Sequence, residues 1–99
     1  MQALIRSDEV VARVIAGETL IIPVRANVAD LGSIYRFNET GTLIWSLLES
    51  PRTVAELSAA VAQKYEIESA VAERDVKEFL SELQSVGLVE VPAIAVAGD

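Results

Sequence analysis

The sequence predicts an α+β domain in which a three-stranded antiparallel sheet is followed by three helices. Three observations carry this. The first third of the chain holds stretches rich in Val, Ile and Thr, separated by turn residues. From Asn38 onward the apolar residues recur at spacings of three and four, the period of an amphipathic helix. A chain of 99 residues is the size of one domain, and strands followed by helices are the pattern of an α+β fold.

The strands are read in order. "EVVARVIAG" and "TLIIPVR" are the first two, with Gly17 as the turn residue between them. Pro23 cannot donate to a ladder, so it belongs at an edge, a bulge or a strand end. "ANVADLG" reads as a loop, with Asn27, Asp30 and Gly32 as turn formers. "GSIYRFN" is the third strand and ends at Asn38. Short connections between successive strands predict an antiparallel meander.

The helices follow. Asn38 suits an N-cap, and Glu39 suits the positive end of a helix. Leu43, Ile44, Leu47 and Leu48 then share a face, with Trp45 partly off that stripe. The helix should stop near Ser50-Pro51, because the residue before a proline disfavours α geometry. Thr53 and Glu56 form a capping box for a second helix, whose stripe is Val54, Leu57, Val61 and Tyr65. Glu68 or Ser69 caps a third, in which Ala72, Val76, Phe79, Leu80 and Leu83 line up. Gly87 is placed to take the left-handed conformation past its end, letting Leu88 fold back on Leu83. Three helices beside a small sheet are the parts of a winged helix-turn-helix. Residues 1–91 are read as the single domain and 92–99 as a C-terminal tail that docks or trails as a flexible end.

Composition narrows the function. There is no Cys and no His, which removes disulfides, thiolate metal sites and the commonest general base. Nothing at the N-terminus reads as a signal peptide, and no stretch is apolar enough to span a membrane. The expectation is a soluble, cytoplasmic protein. A formal net charge of −7 disfavours binding to nucleic acid or to an anionic membrane. The third helix repeats the point: Arg74 and Lys77 stand against Glu73, Asp75, Glu78 and Glu82. A winged-helix DNA-binding or regulatory module, or a structural subunit-interface domain, is therefore the alternative reading.

No catalytic, metal or cofactor site is read. Glu66, Glu68, Glu73, Asp75, Glu78 and Glu82 are taken as a solvated face. There is no Gly-rich phosphate loop. "NET" at Asn38 matches a glycosylation sequon but is better explained as a helix cap. A carrier Ser should open a helix, whereas Ser33 opens a β-like run. What remains is protein or peptide binding. The strand "GSIYRF" has one charge and no proline, so its edge can accept an extended peptide as another strand. Phe37 and Tyr35 alternate onto one face and read as core.

The stretch from Gly32 to Glu90 resembles the pyrroloquinoline quinone biosynthesis protein D (PqqD) family. The resemblance is carried by Phe37-Asn38, the small-residue run from Gly41 into Ile44-Trp45, Thr53 to Glu56, Tyr65, Asp75-Val76 with Phe79, Leu80 and Leu83, and Gly87-Leu88. It implies a winged-helix-like recognition element for ribosomally made, modified (RiPP) peptides, without catalysis. Such an element binds a precursor leader peptide as an added strand and presents it to a partner. The partner is a radical S-adenosylmethionine enzyme or, in lasso-peptide systems, a leader peptidase. By position, the peptide would contact Gly32, Ser33, Ile34, Tyr35, Arg36 and Phe37 on the strand. On the helix it would contact Asp75, Val76, Phe79, Leu80 and Leu83, with Arg36, Arg74 and Lys77 reading acidic leader residues. A stripe with both 79 and 80 apolar is wide enough to serve core and groove together. "PVRANVADLGS" lacks the Leu-rich Pro-Glu-Gly segment of quinone-pathway members, which favours another modified-peptide pathway. An open strand edge also permits a homodimer.

Overall fold

The computed structural model describes residues 3–8, 10–23 and 35–92. In chain order it contains β1 (Ala3–Arg6), β2 (Val10–Ile15), β3 (Glu18–Pro23), β4 (Tyr35–Phe37), α1 (Glu39–Leu47), β5 (Arg52–Thr53), α2 (Val54–Tyr65), α3 (Ser69–Ser85) and β6 (Val89–Glu90). The sheet β2-β3-β4 is the expected meander, its strands antiparallel and in sequence order. Its hairpin turns on Ala16 and Gly17, with φ of 54° and 82°. Two central residues with positive φ match the twist of the flanking strands. Pairing runs regularly from Ile15 opposite Glu18 to Val10 opposite Pro23. Pro23 is the last residue of β3, a strand end as its missing N–H requires.

A second sheet, β5-β1-β6, lies beyond the meander that the sequence predicts. Its outer members are two residues long and leave no periodicity to read. β1 pairs Ala3 with Thr53 and Leu4 with Arg52 on one side, and Ile5 with Glu90 and Arg6 with Val89 on the other. The Arg6 N–H also donates to the Leu48 carbonyl at 3.0 Å, and the Ser7 N–H to the Leu88 carbonyl at 2.8 Å. The first strand thus clasps the end of α1, the start of α2 and the exit from α3. Val89 and Glu90 belong to this sheet, and residues 93–99 of the tail lie outside the described residues.

The helix ends follow their local chemistry. Asn38 Oδ1 accepts the Gly41 N–H at 2.9 Å, capping α1. At α2 both halves of the capping box form: Glu56 N–H to Thr53 Oγ1 at 3.2 Å, and Thr53 N–H to Glu56 Oε1 at 2.9 Å. Glu68 is the N-cap of α3, without a side-chain capping bond. At its other end Gly87 has φ 79°. There the Leu88 N–H reaches the Leu83 carbonyl at 2.9 Å, and the Gly87 N–H reaches that of Gln84 at 3.2 Å. These two bonds make a Schellman motif, which explains why Leu88 turns back beneath α3.

The core joins Ile21 and Phe37 of the meander, Ile44, Trp45 and Leu48 at α1, Leu57 and Val61 of α2, and Ala72, Val76, Leu80 and Leu83 of α3. Leu4, Leu88 and Val89 extend it under the second sheet. Trp45 is a correction: it is buried, while Leu43 and Leu47 of the expected stripe are only partly so. The cause is β1, whose Arg6 guanidinium lies 5.6 Å from the indole centroid and donates to the Trp45 carbonyl at 3.2 Å. Replacing Thr53 by Ala removes one half of the capping box at the junction of β5 and α2. Denaturant unfolding should show a loss of about 1 kcal/mol.

Candidate functional site

The site grows from Phe37, the last residue of β4. Its buried ring meets Phe79 of α3 edge-on at 5.0 Å and Trp45 of α1 at 5.6 Å. This is possible because α1 passes over it with Gly41. A Cβ there would stand 2.9 Å from Phe37 Cβ and 3.1 Å from the Phe79 ring. The contact with Phe37 Cβ leaves no flexible group to move aside. The hydroxyls of Thr42 and buried Thr19 of β3, 2.8 Å apart, fix the same helix to the sheet. Held this way, β4 and the last turns of α3 stand on either side of a groove of about 640 Å³.

One wall is Tyr35, Arg36, Phe37 and Asn38, with Glu18 beside them; the other is Phe79, Glu82, Leu83, Ser85 and Val86. β4 pairs with β3 alone among the described residues, so it is an edge strand along the groove. A smaller hollow of about 310 Å³ adjoins it across Phe79. Asn38, Phe79 and Glu82 border both, and Asp75, Val76 and Glu78 line the smaller one. The arrangement offers a strand with a free edge, an aromatic and aliphatic wall, and a polar rim. That is a surface for an extended chain. Among the described residues no cluster of His, Cys, Asp and Glu could hold a metal ion. Nor, among them, is any helix long and apolar enough to cross a membrane.

The structure sorts the residues singled out in the sequence. Tyr35, Arg36, Phe37, Phe79 and Leu83 come together at the groove. Asp75 and Val76 lie at the adjoining hollow, where the Val76 side chain is buried. Leu80 borders neither and is core, at 3% exposure. Leu83, at 4%, is core as well as wall, while Phe79 is only partly buried. Arg74 and Lys77 border neither cavity: they are exposed and pair with Asp75 at 3.7 Å and Glu73 at 3.2 Å. Gly32, Ser33 and Ile34 lie outside the described residues. Glu18, Asn38, Glu82, Ser85 and Val86 also join the groove, and nothing in the sequence pattern marks Glu18, Asn38 or Ser85 as a peptide contact. For Glu82 and Val86 a signal does exist in the sequence, since they continue the ridge of Asp75 and Phe79 at helical spacing.

A small meander packed on three helices, with an apolar groove between its last strand and its last helix, defines a class of compact α+β domain. Within that class the chain belongs to the PqqD family: the sequence profile for coenzyme PQQ synthesis protein D (PqqD) matches residues 11–89. Comparison with curated proteins gives no significant match. Among solved structures, TbiB1 in complex with the TbiA(β) leader peptide is 29% identical. It superposes with a TM-score of 0.75 over 90% of this chain and 98% of its own. Lasso peptide synthetase B1 complexed with the leader peptide shares the fold at 21% identity, TM-score 0.72, covering 88% of this chain and 96% of its own. The PqqD truncation of Methylobacterium extorquens PqqCD is described as a functional, stand-alone RiPP recognition element. It shares the fold at 14% identity, TM-score 0.69, over 89% of this chain and 88% of its own.

Two substitutions probe this construction. Gly41→Ala should destabilise by on the order of 1 kcal/mol in thermal or denaturant unfolding. The clash at Phe37 outweighs the gain of about 1 kcal/mol that Ala ordinarily brings to a helix. Leu83→Ala should cost about 2–5 kcal/mol, as a buried leucine does. A near-neutral result would show that its side chain serves the groove alone.

Proposed function

We propose that this chain is a non-catalytic recognition element that binds the leader segment of a ribosomally made precursor peptide. The leader adds as a strand along β4, and the element presents the bound precursor to a modifying enzyme or leader peptidase. The observation that carries this is the groove between the edge strand β4 and α3. It supplies what strand addition needs: free backbone groups for affinity and adjoining side-chain pockets for selectivity. Membership in the PqqD family, and the leader-bound state of TbiB1 at 29% identity, support the same reading. Gly32, Ser33 and Ile34 extend the proposed strand contact, and Tyr35, Arg36, Phe37, Phe79 and Leu83 form its described part. A radical S-adenosylmethionine enzyme and a lasso-type peptidase both fit as partner. The DNA-binding alternative is disfavoured by the acidic face of α3, which phosphates would repel.

The test is an amide-resolved NMR titration with the leader of a small precursor peptide encoded beside this chain. Shifts should cluster on residues 35–38 and 79–86. The companion variant is Val86→Lys. Val86 is only partly buried against the core and a cation suits a helix C-terminus, so the variant should stay folded with a modest loss of stability, checked by its amide spectrum. A hydrated charge in the apolar wall should weaken leader binding by about tenfold or more, roughly 1.4 kcal/mol. Undiminished binding by a folded Val86→Lys protein would place the leader elsewhere.

A further inference from the structure

The charged groups around the groove are unbalanced. The groove and its adjoining hollow are bordered by four carboxylates, Glu18, Asp75, Glu78 and Glu82, and one guanidinium, Arg36. Arg36 sits 4.0 Å from Glu18, and Asp75 is paired with Arg74. Among the described residues Glu78 and Glu82 have no cationic partner. The other two cations of this region, Arg74 and Lys77, border neither cavity.

Placement matters as much as sign. Asp75, Phe79, Glu82 and the C-cap residue Val86 follow one another at spacings of four, three and four along α3 and its end, so they form a single ridge. Acidic and apolar side chains alternate along it. Phe79 and Val86 are about 10.5 Å apart along the helix axis, the reach of roughly three residues of extended chain. Glu82 stands between them and borders both cavities.

Building on the leader-binding reading, we propose that the groove selects an extended segment carrying a Lys or Arg within about three residues of a large apolar side chain. The apolar residue seats against Phe79, Leu83 and Val86, and the cation is taken by Glu82 with Glu78 behind it. The preferred leader is thus locally basic at its anchor. An acidic residue at the same place would face the exposed Glu82 carboxylate, and the two like charges would repel, most strongly at low salt.

The experiment is a display library of random 15-residue peptides, panned against the full chain and three variants. Wild type should enrich peptides with Lys or Arg beside an apolar anchor, and Val86→Lys should abolish their capture. Glu82→Lys should lose the cation preference. Glu73→Lys makes the same change in net charge on the outer face of α3 and should keep it. For the most enriched peptide, exchanging its cation for Glu should weaken wild-type binding by about tenfold at low salt, and the gap should shrink in Glu82→Lys. Enriched peptides that need the groove but are neutral or acidic would overturn the charge preference while leaving leader binding in place. Equal loss of preference in Glu73→Lys would reduce it to net charge and overturn it too. Capture of no peptide sensitive to Val86→Lys would overturn the leader-binding reading itself.

Discussion

The close passage of α1 over Phe37 at Gly41 is the constraint on which the site depends. A helix normally keeps its neighbours a side chain away. Here the missing Cβ lets Phe37 and Phe79 meet edge-on beneath the first turn of α1. Such ring pairs contribute about 0.5–1.5 kcal/mol beyond their burial. Their geometric effect is larger: they set the separation of β4 and α3 and hence the width of the groove. The Asn38 cap and the Thr19–Thr42 hydrogen bond hold α1 at that approach, so local helix chemistry and sheet register converge on one contact.

The two sheets divide the remaining task. The meander presents an edge strand, and the second sheet secures the helices that face it. α3 ends in a Schellman turn that buries Leu88, and β6 then enters the clasp of β1. The C-terminal end of α3, with Val86 as its C-cap, is therefore anchored by the first strand of the chain. The groove wall farthest along the sequence owes its position to residues near the beginning. The same strand covers Trp45, which closes the core behind the aromatic floor of the groove.

Much of this was legible in the sequence, for identifiable reasons. The meander strands and three helices announce themselves through β-branched runs, apolar spacing and unambiguous caps at Asn38, Thr53 and Gly87. The second sheet does not, because a two-residue bridge has no pattern; it exists only once distant segments have met. Trp45 reads as peripheral on a helical wheel and becomes buried because β1 covers that side. At the site, Tyr35, Phe37, Phe79 and Leu83 were visible as apolar positions on a strand and a helix. Glu18 and Ser85 were not, since strand register and the last turn of α3 decide their place. Arg74 and Lys77 show the converse: a cation near a groove in sequence points away when its helix turns it outward and an acid lies within reach.

The aromatic contacts have an optical consequence. The chain contains one Trp beside two Tyr, so emission excited at wavelengths that only the indole absorbs comes from a single known place. That indole lies 5.6 Å from Phe37, which lies 5.0 Å from Phe79, and both phenyl rings border the groove. The Arg6 guanidinium also lies 5.6 Å from the indole centroid. A molecule settling against the phenyl rings perturbs the packing one ring away from a chromophore whose field includes a fixed positive charge. The protein thereby carries an intrinsic, label-free gauge of groove occupancy, placed where the chromophore itself is shielded from direct contact with whatever enters.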